Sequence, residues 1–237
     1  MNSEEANTSS LAEVAYNQAK RFAREGEYDK ALECHLWFHE NALEHEPAFY
    51  GVRLSFALGA WQELGEKYPP ALAALIDVRD RESAKLYDGH LCDDLFHDVV
   101  ALNHTLHADD ATFAMFEYFE KIDPALASRR FRFLIDMAFE SAPTLFMKYV
   151  DDLEAYFEKI CEIHVSMTQS FHEVMTNYRE LTPGDLADRK SQFGQFDQIF
   201  LDAATKLGEM AVSRGQHDVA ARISDRANAI QREVQTI

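Results

Sequence analysis

Positive charge is scarce in this chain. Its 237 residues carry 23 Lys plus Arg against 41 Asp plus Glu, a formal net charge of −18. Nucleic-acid binding requires a basic footprint on phosphates, and no Lys/Arg cluster rises out of this background, so nucleic acid is excluded as a partner and anionic membrane surfaces are disfavoured. Cysteine is also sparse. Cys34, Cys92 and Cys161 are odd in number, far apart and form no CxxC pair, which argues against a disulfide framework or a zinc knuckle and for reduced thiols in a cytosol. No apolar run approaches the roughly 20 residues of a membrane span. The stretch Met1 to Ser10 is polar and acidic, without the basic and apolar regions of a secretory signal. The expectation is a cytoplasmic protein with no membrane contact and a disordered N-terminus over residues 1–9. Strand signals are nearly missing, with no Asn-Gly or Asp-Gly hairpin between alternating runs. There is no P-loop, GxGxxG or GxSxG, and no nucleophile with an evident base. The chain therefore reads as a protein that is not an enzyme, with no catalytic residue and no cofactor assigned.

What is present is helical periodicity. Hydrophobic residues make up 47% of the chain and recur at steps of three and four. Helices are predicted from about Ser10 to Arg24, with Ser10 and Glu13 at capping-box spacing, from Tyr28 to Glu44, and from Ala48 to Glu66. A fourth is opened by Pro69-Pro70 and closed near Asp88-Gly89. Others run from Leu91 to Leu106, from Asp110 to Ile122 and from Pro124 to Glu140, and a short one follows Pro143. Leu153, Tyr156, Ile160, Ile163, Met167, Phe171, Val174, Tyr178 and Leu181 then mark one long amphipathic helix of roughly 45 Å. Thr182-Pro183-Gly184 breaks it, and Phe193, Phe196, Phe200, Ala203, Leu207 and Met210 form a seam of nearly coiled-coil spacing. A last helix runs from about Gln216 to Gln235. The organisation expected is helical hairpins over residues 10–150, then a long hairpin and a final hairpin over 151–237, sharing a continuous core because no low-complexity linker divides them.

The turn Gly26-Glu27-Tyr28-Asp29-Lys30-Ala31-Leu32 is the most specific stretch. A glycine, an aromatic two positions on and Ala-Leu three beyond that join two antiparallel helices and press them together. With Ala19 and Phe22 before it, this stretch resembles a tetratricopeptide repeat, although His35 stands where that motif has a second aromatic. A second copy has Leu58-Gly59, Tyr68 and Ala71-Leu72. A third keeps the spacing with Leu102-Asn103, Leu106, Asp110, Met115 and Phe119. A fourth has Leu207-Gly208, Gly215, Ala220 and Ala227, with His217 in place of the tyrosine. Ala31, Ala71 and Met115 lie 40 and 44 residues apart, against about 34 in the motif. The sequence also resembles bacterial proteins known only by this repeat. The fold implied is all-α, an α-α superhelix of stacked antiparallel hairpins, a right-handed tetratricopeptide-like solenoid, finished by a long C-terminal helical hairpin.

The resemblance implies a concave ligand groove lined by the first helix of each hairpin. Its register places Glu13, Tyr16, Lys20 and Ala23 there from the first repeat, Arg53, Phe56, Ala60 and Glu63 from the second, and His97, Val100, His104 and His107 from the third. The partner-binding candidates are thus Tyr16, Lys20, Arg53, Phe56, His97, His104 and His107, and the partner is a protein or peptide. Lys20 and Arg53 are suited to a partner's carboxylate, against an internal salt bridge as the plainer reading of each; the plainer reading of the histidine stripe is a solvated polar face, with a ligand-contacting or proton-sensitive surface and a metal site as its alternatives. Tyr16 and Lys20 stand where clamp-type members of the family carry Lys and Asn, so clamp activity is not implied. A homo-oligomer through the C-terminal seam is the alternative. A metal-binding bundle is a third reading: His35 and His39 have ligand spacing, but Leu36 replaces the glutamate of a zincin, and the Glu154, Glu158, Glu162 stripe lacks a Glu-x-x-His partner, so no metal ligand is assigned. Arg129, Arg130 and Arg132 read as a salt-bridged helix face.

Overall fold

Ser10 starts the first helix. Its backbone is extended, and its hydroxyl accepts the Glu13 amide at 3.2 Å, satisfying a donor that a helix start leaves unpaired. Helix α1 (Leu11–Glu25) ends at Gly26, whose φ of 79° suits a residue without a Cβ. Two residues later α2 (Tyr28–His45) packs back along α1. It ends at Glu46, held extended by the proline that follows. The computed structural model describes residues 10–177 and 183–234, with side chains at 10–175 and 194–234. Among these residues every regular element is helical and there is no strand. No helix among them is long and apolar enough to cross a membrane.

The helix predicted from Ala48 to Glu66 is broken into a 3₁₀ turn (Pro47–Phe49), α3 (Tyr50–Leu54) and α4 (Phe56–Lys67). The break is Ser55, at φ −128° and ψ −89°. Its hydroxyl donates to the Gly51 carbonyl at 2.7 Å, a side-chain bond that competes with the helix ladder. Helix α5 (Pro69–Tyr87) begins on its two prolines as predicted. Helices α6 (Asp93–Thr105) and α7 (Asp109–Ile122) follow. Asp123 caps α8 (Pro124–Arg130) by accepting the Ala125 and Leu126 amides. The helix predicted from Pro124 to Glu140 is interrupted too: a 3₁₀ turn (Phe131–Phe133) separates α8 from α9 (Ile135–Ser141). That turn lets Phe131 pack on Phe116 while Phe133 lies against His97.

The chain divides into two units, Met1–Ser141 and Ala142–Ile237. In the first, α1 packs on α2, α4 on α5, and α6 on α7. Its core joins Ala31, Leu58, Trp61, Leu64, Ala71, Leu75, Val78 and Leu102, and the Trp61 indole donates to the Ala71 carbonyl at 2.9 Å. A second cluster of Ala12, Ala15, Phe38, Ala42 and Ala57 underlies Tyr16 and Phe49. Ala31 and Ala71 are wholly buried, as tight helix contact at these methyls requires. The small residue at Gly59 has a different role from the one the repeat suggests: a Cβ there would meet nothing within 4 Å, whereas one at Gly65 would sit 2.9 Å from the Leu72 Cβ. The close approach of α4 to α5 is made at Gly65.

The second unit holds α10 (Pro143–Tyr149), α11 (Leu153–Asn177), α12 (Pro183–Ser213) and α13 (His217–Val234). Phe146 of α10 packs on Tyr156 of α11 at 4.9 Å. Phe200 and Leu207 of the predicted seam are buried, with Phe200 stacked on His164 and Phe157 of α11. Those two residues are therefore used within the unit. Ala227 is buried, while Ala220 is only half-buried. Tyr178, Leu181, Thr182 and the Phe193 side chain, which the sequence singles out, lie outside the described residues.

Candidate functional site

Tyr16 and Lys20 lie one turn apart on α1. Tyr16 is fixed from below by Phe38 and Phe49, at ring distances of 5.4 and 6.4 Å, and the Lys20 ammonium lies 5.0 Å over its ring. The Ser55 break makes Phe56 the first residue of α4, and the residue is 71% exposed. On α6, the His97 ring stacks on Phe133 at 4.5 Å, and its Nδ1 is 2.9 Å from the Tyr50 hydroxyl. Burial holds this imidazole below its usual pKa, with Asp98 and Asp94 opposing in part. One face along, His104 Nδ1 is 3.1 Å from the Asp109 carboxylate.

His107 ends the stripe in an unusual way. It has a φ of 55°, in the left-handed region where glycine normally closes a helix. The His107 amide donates to the His104 carbonyl and the Ala108 amide to the Asn103 carbonyl, at 3.0 and 2.8 Å. This cap carries an imidazole that meets the Gln62 amide at 3.0 Å.

These groups surround one cavity of about 870 Å³. Tyr16, Lys20, Phe56, His97, His104 and His107 all line it, as do Ala60, Glu63 and Val100 of the same register. The lining that sequence reasoning missed includes Gln62 and Asp109, Phe133 of the second helix break, and Asp136, Met137 and Glu140 of α9. No groove register reaches that segment, because the repeat assigns groove positions only to the first helices of the hairpins and the helix from Pro124 to Glu140 carries no repeat copy. Gly59 also lines the cavity, so its missing side chain leaves room at the wall.

Arg53 lies elsewhere. It is buried, paired with Asp98 of α6, and its guanidinium donates to the His39 carbonyl at 3.3 Å. It belongs to a separate pocket of about 460 Å³ with Glu82, Lys85 and Arg81, where Lys85 holds both Glu82 oxygens at 3.0 Å. Of the two readings open for Arg53, the geometry favours the internal salt bridge.

His35 and His39 are core residues. His35 stacks on Trp61 at 5.8 Å and His39 meets the same indole edge-on at 6.1 Å. Burial pushes their pKa values down to about 4 and about 3, with Arg53, Arg81 and Lys85 adding to the effect on His39. Among the described residues no group of three or more His, Cys, Asp or Glu is placed to hold a metal ion. Glu154 and Glu158 are paired with Arg222 and Arg226 of α13. Arg130 is fully buried, 3.1 Å from Asp93 and 4.8 Å over the Phe96 ring. Burial, with the nearby Glu158 charge, pushes the Cys161 thiol up to about 11, away from nucleophilic character. Comparison of the chain with protein families, with curated proteins and with solved structures gave no match.

Proposed function

We propose that this protein is a non-enzymatic, cytoplasmic binding scaffold, a tetratricopeptide-like α-α superhelix that holds a peptide or an extended segment of a partner protein in the 870 Å³ cavity. The observation that carries this reading is convergence. Tyr16, Lys20, Phe56, His97, His104 and His107 come from three helices, α1, α4 and α6, and from the cap after α6, and they line one concavity. A preformed cavity with an apolar wall and a few placed polar groups is how a rigid scaffold recognises a segment without losing much ordering entropy. Two costs in the local structure support the same reading. Phe56 is left largely in water by a helix break, and His107 occupies a backbone conformation in which glycine is more stable.

Selection from a random peptide library on the intact protein tests it. The wild type is expected to enrich a defined family of peptides, and Phe56→Ala and His107→Gly are expected to weaken them by about tenfold or more, the loss of a buried aromatic anchor. Neither change threatens the fold, because the first removes an exposed ring and the second relieves a left-handed backbone. Enriched peptides that bind both variants as well as the wild type, or no enrichment at all, overturn the proposal.

A further inference from the structure

We propose that a second, smaller concavity of the first unit is an anion site that takes a phosphate group, free or carried by a small organic compound. It has a volume of about 590 Å³ and is lined by Lys20, Arg21 and Arg24 of α1 and Lys67 of α4. Arg24 follows Arg21 by three residues and Lys20 by four, so the three share a helix face. Lys67 joins them only through the fold, from the last turn of α4. Arg21 is 3.8 Å from Glu25, so its charge is set aside. Lys20 lies over the Tyr16 ring, and Arg24 donates to the Lys20 carbonyl at 3.2 Å; neither contact cancels a charge. Among the described residues no ion pair holds Lys67, and Glu63 is the one carboxylate in the lining. Three cations thus face one carboxylate, in a chain whose net charge is −18.

Cations in the last turns of α1 and α4 also offset the helix dipoles, which accounts for Arg24 and Lys67 one at a time. It does not account for their meeting Lys20 at one concavity, nor for the histidine beside them. His35 belongs to the same lining although it is only 3% exposed, and its Nε2 has no hydrogen-bond partner among the described residues. A buried polar nitrogen without a partner carries a desolvation cost that a hydrogen bond offsets, and a ligand oxygen at this depth would provide one. Phosphate fits the charge count. As a monoester it carries about −1.5 to −2 near neutral pH and offers three acceptor oxygens, whereas a single carboxylate would leave most of the positive charge unanswered. Arginine grips such oxygens two at a time, and lysine adds a point charge. The volume lies within the roughly 300–1,000 Å³ of small-molecule sites, which leaves room for an organic group behind the phosphate. Arg24 and Lys67 do not line the larger cavity, so this site is independent of peptide binding there.

Isothermal titration calorimetry on the full chain at low salt tests this with phenyl phosphate, inorganic phosphate and benzoate. Phenyl phosphate is expected to saturate a single site with a Kd below about 1 mM. Benzoate, the same ring with one charge, is expected to bind about tenfold more weakly. Arg24→Gln and Lys67→Gln each alter an exposed residue and are expected to weaken phenyl phosphate by about fivefold or more. Arg232→Gln, at an exposed arginine of α13, is expected to stay within about twofold. Inorganic phosphate that binds as tightly as phenyl phosphate, with the same sensitivity to Arg24→Gln and Lys67→Gln, supports the site and identifies the free ion as its ligand. Inorganic phosphate that binds about tenfold more weakly supports the site with a phosphate ester as its ligand. Three results overturn the proposal: no saturable binding of either phosphate, benzoate bound as tightly as phenyl phosphate, or phosphate binding that Arg24→Gln and Lys67→Gln alter no more than Arg232→Gln does.

Discussion

Burial sorts the histidines of this chain into two chemical roles. His35 and His39 face Trp61 in the core with neutral rings, and His35 Nε2 and His39 Nδ1 have no hydrogen-bond partner there. Their pKa values fall to about 4 and about 3, while an unfolded histidine titrates near 6.5. Between about pH 6.5 and about pH 4 the unfolded chain thus holds more protons, and stability falls as pH falls, by up to roughly 1.4 kcal/mol per histidine per pH unit. Above about pH 6.5 this contribution is complete and constant. Urea midpoints measured through this window should decline, and His35→Phe, which keeps the stack on Trp61, should decline less steeply. Equal slopes for the two proteins contradict the assignment. The packing role of His35 is legible in the sequence, because it occupies a position where the repeat puts an aromatic. The burial of Arg53 is not. Its register identifies a helix face, but its fate is set by Asp98 on α6, 45 residues away.

Helix geometry decides which glycine tolerates a methyl. Gly59 and Gly65 share α4, and the repeat resemblance marks Gly59 as the point of close approach. The structure puts that approach at Gly65, where a Cβ would be 2.9 Å from the Leu72 Cβ and 3.1 Å from its backbone. Backbone cannot yield as a flexible side chain can, so Gly65→Ala is expected to lose about 1–2 kcal/mol, overpacking outweighing the gain in helix propensity. Gly59→Ala should gain up to about 1 kcal/mol, because nothing opposes the new methyl. Thermal unfolding of the two variants separates these outcomes, and a change of the same sign in both contradicts them. Helix starts and stops were readable wherever a cap dictates them: Ser10, Gly26, Pro69 and Gly215 all act as their chemistry requires. The two interior breaks were not, because Ser55 and the Phe131–Phe133 turn sit in segments whose apolar spacing is compatible with an uninterrupted helix. The Arg222–Glu154 and Arg226–Glu158 pairs had a signal that was available. Both partners step by four, so two arginines on α13 match two glutamates on α11.

At the scale of the molecule, the all-helical class follows from periodicity and from the lack of strand signals, while the division of the chain does not. No composition shift marks the boundary between Ser141 and Ala142. It arises from packing: Trp61, Leu75 and Leu102 bury one another in the first unit, and Phe157 stacks on Phe200 in the second. Among the described residues, those lining the 870 Å³ cavity lie between Tyr16 and Ser141. A segment of this length is long enough to bury a core of its own, well above the roughly 60 residues at which single domains become marginal. Residues 1–141 produced alone should therefore be helical, unfold cooperatively and bind the peptides enriched by the library selection within about twofold of the full chain, because the residues named as lining the cavity belong to this segment. Residues 142–237 should not bind them. Circular dichroism establishes whether the fragment is folded, and anisotropy then decides the rest. A helical, cooperative fragment that binds tenfold or more weakly would mean that the second unit supplies part of the recognition surface, and the cavity walls named here would be an incomplete site.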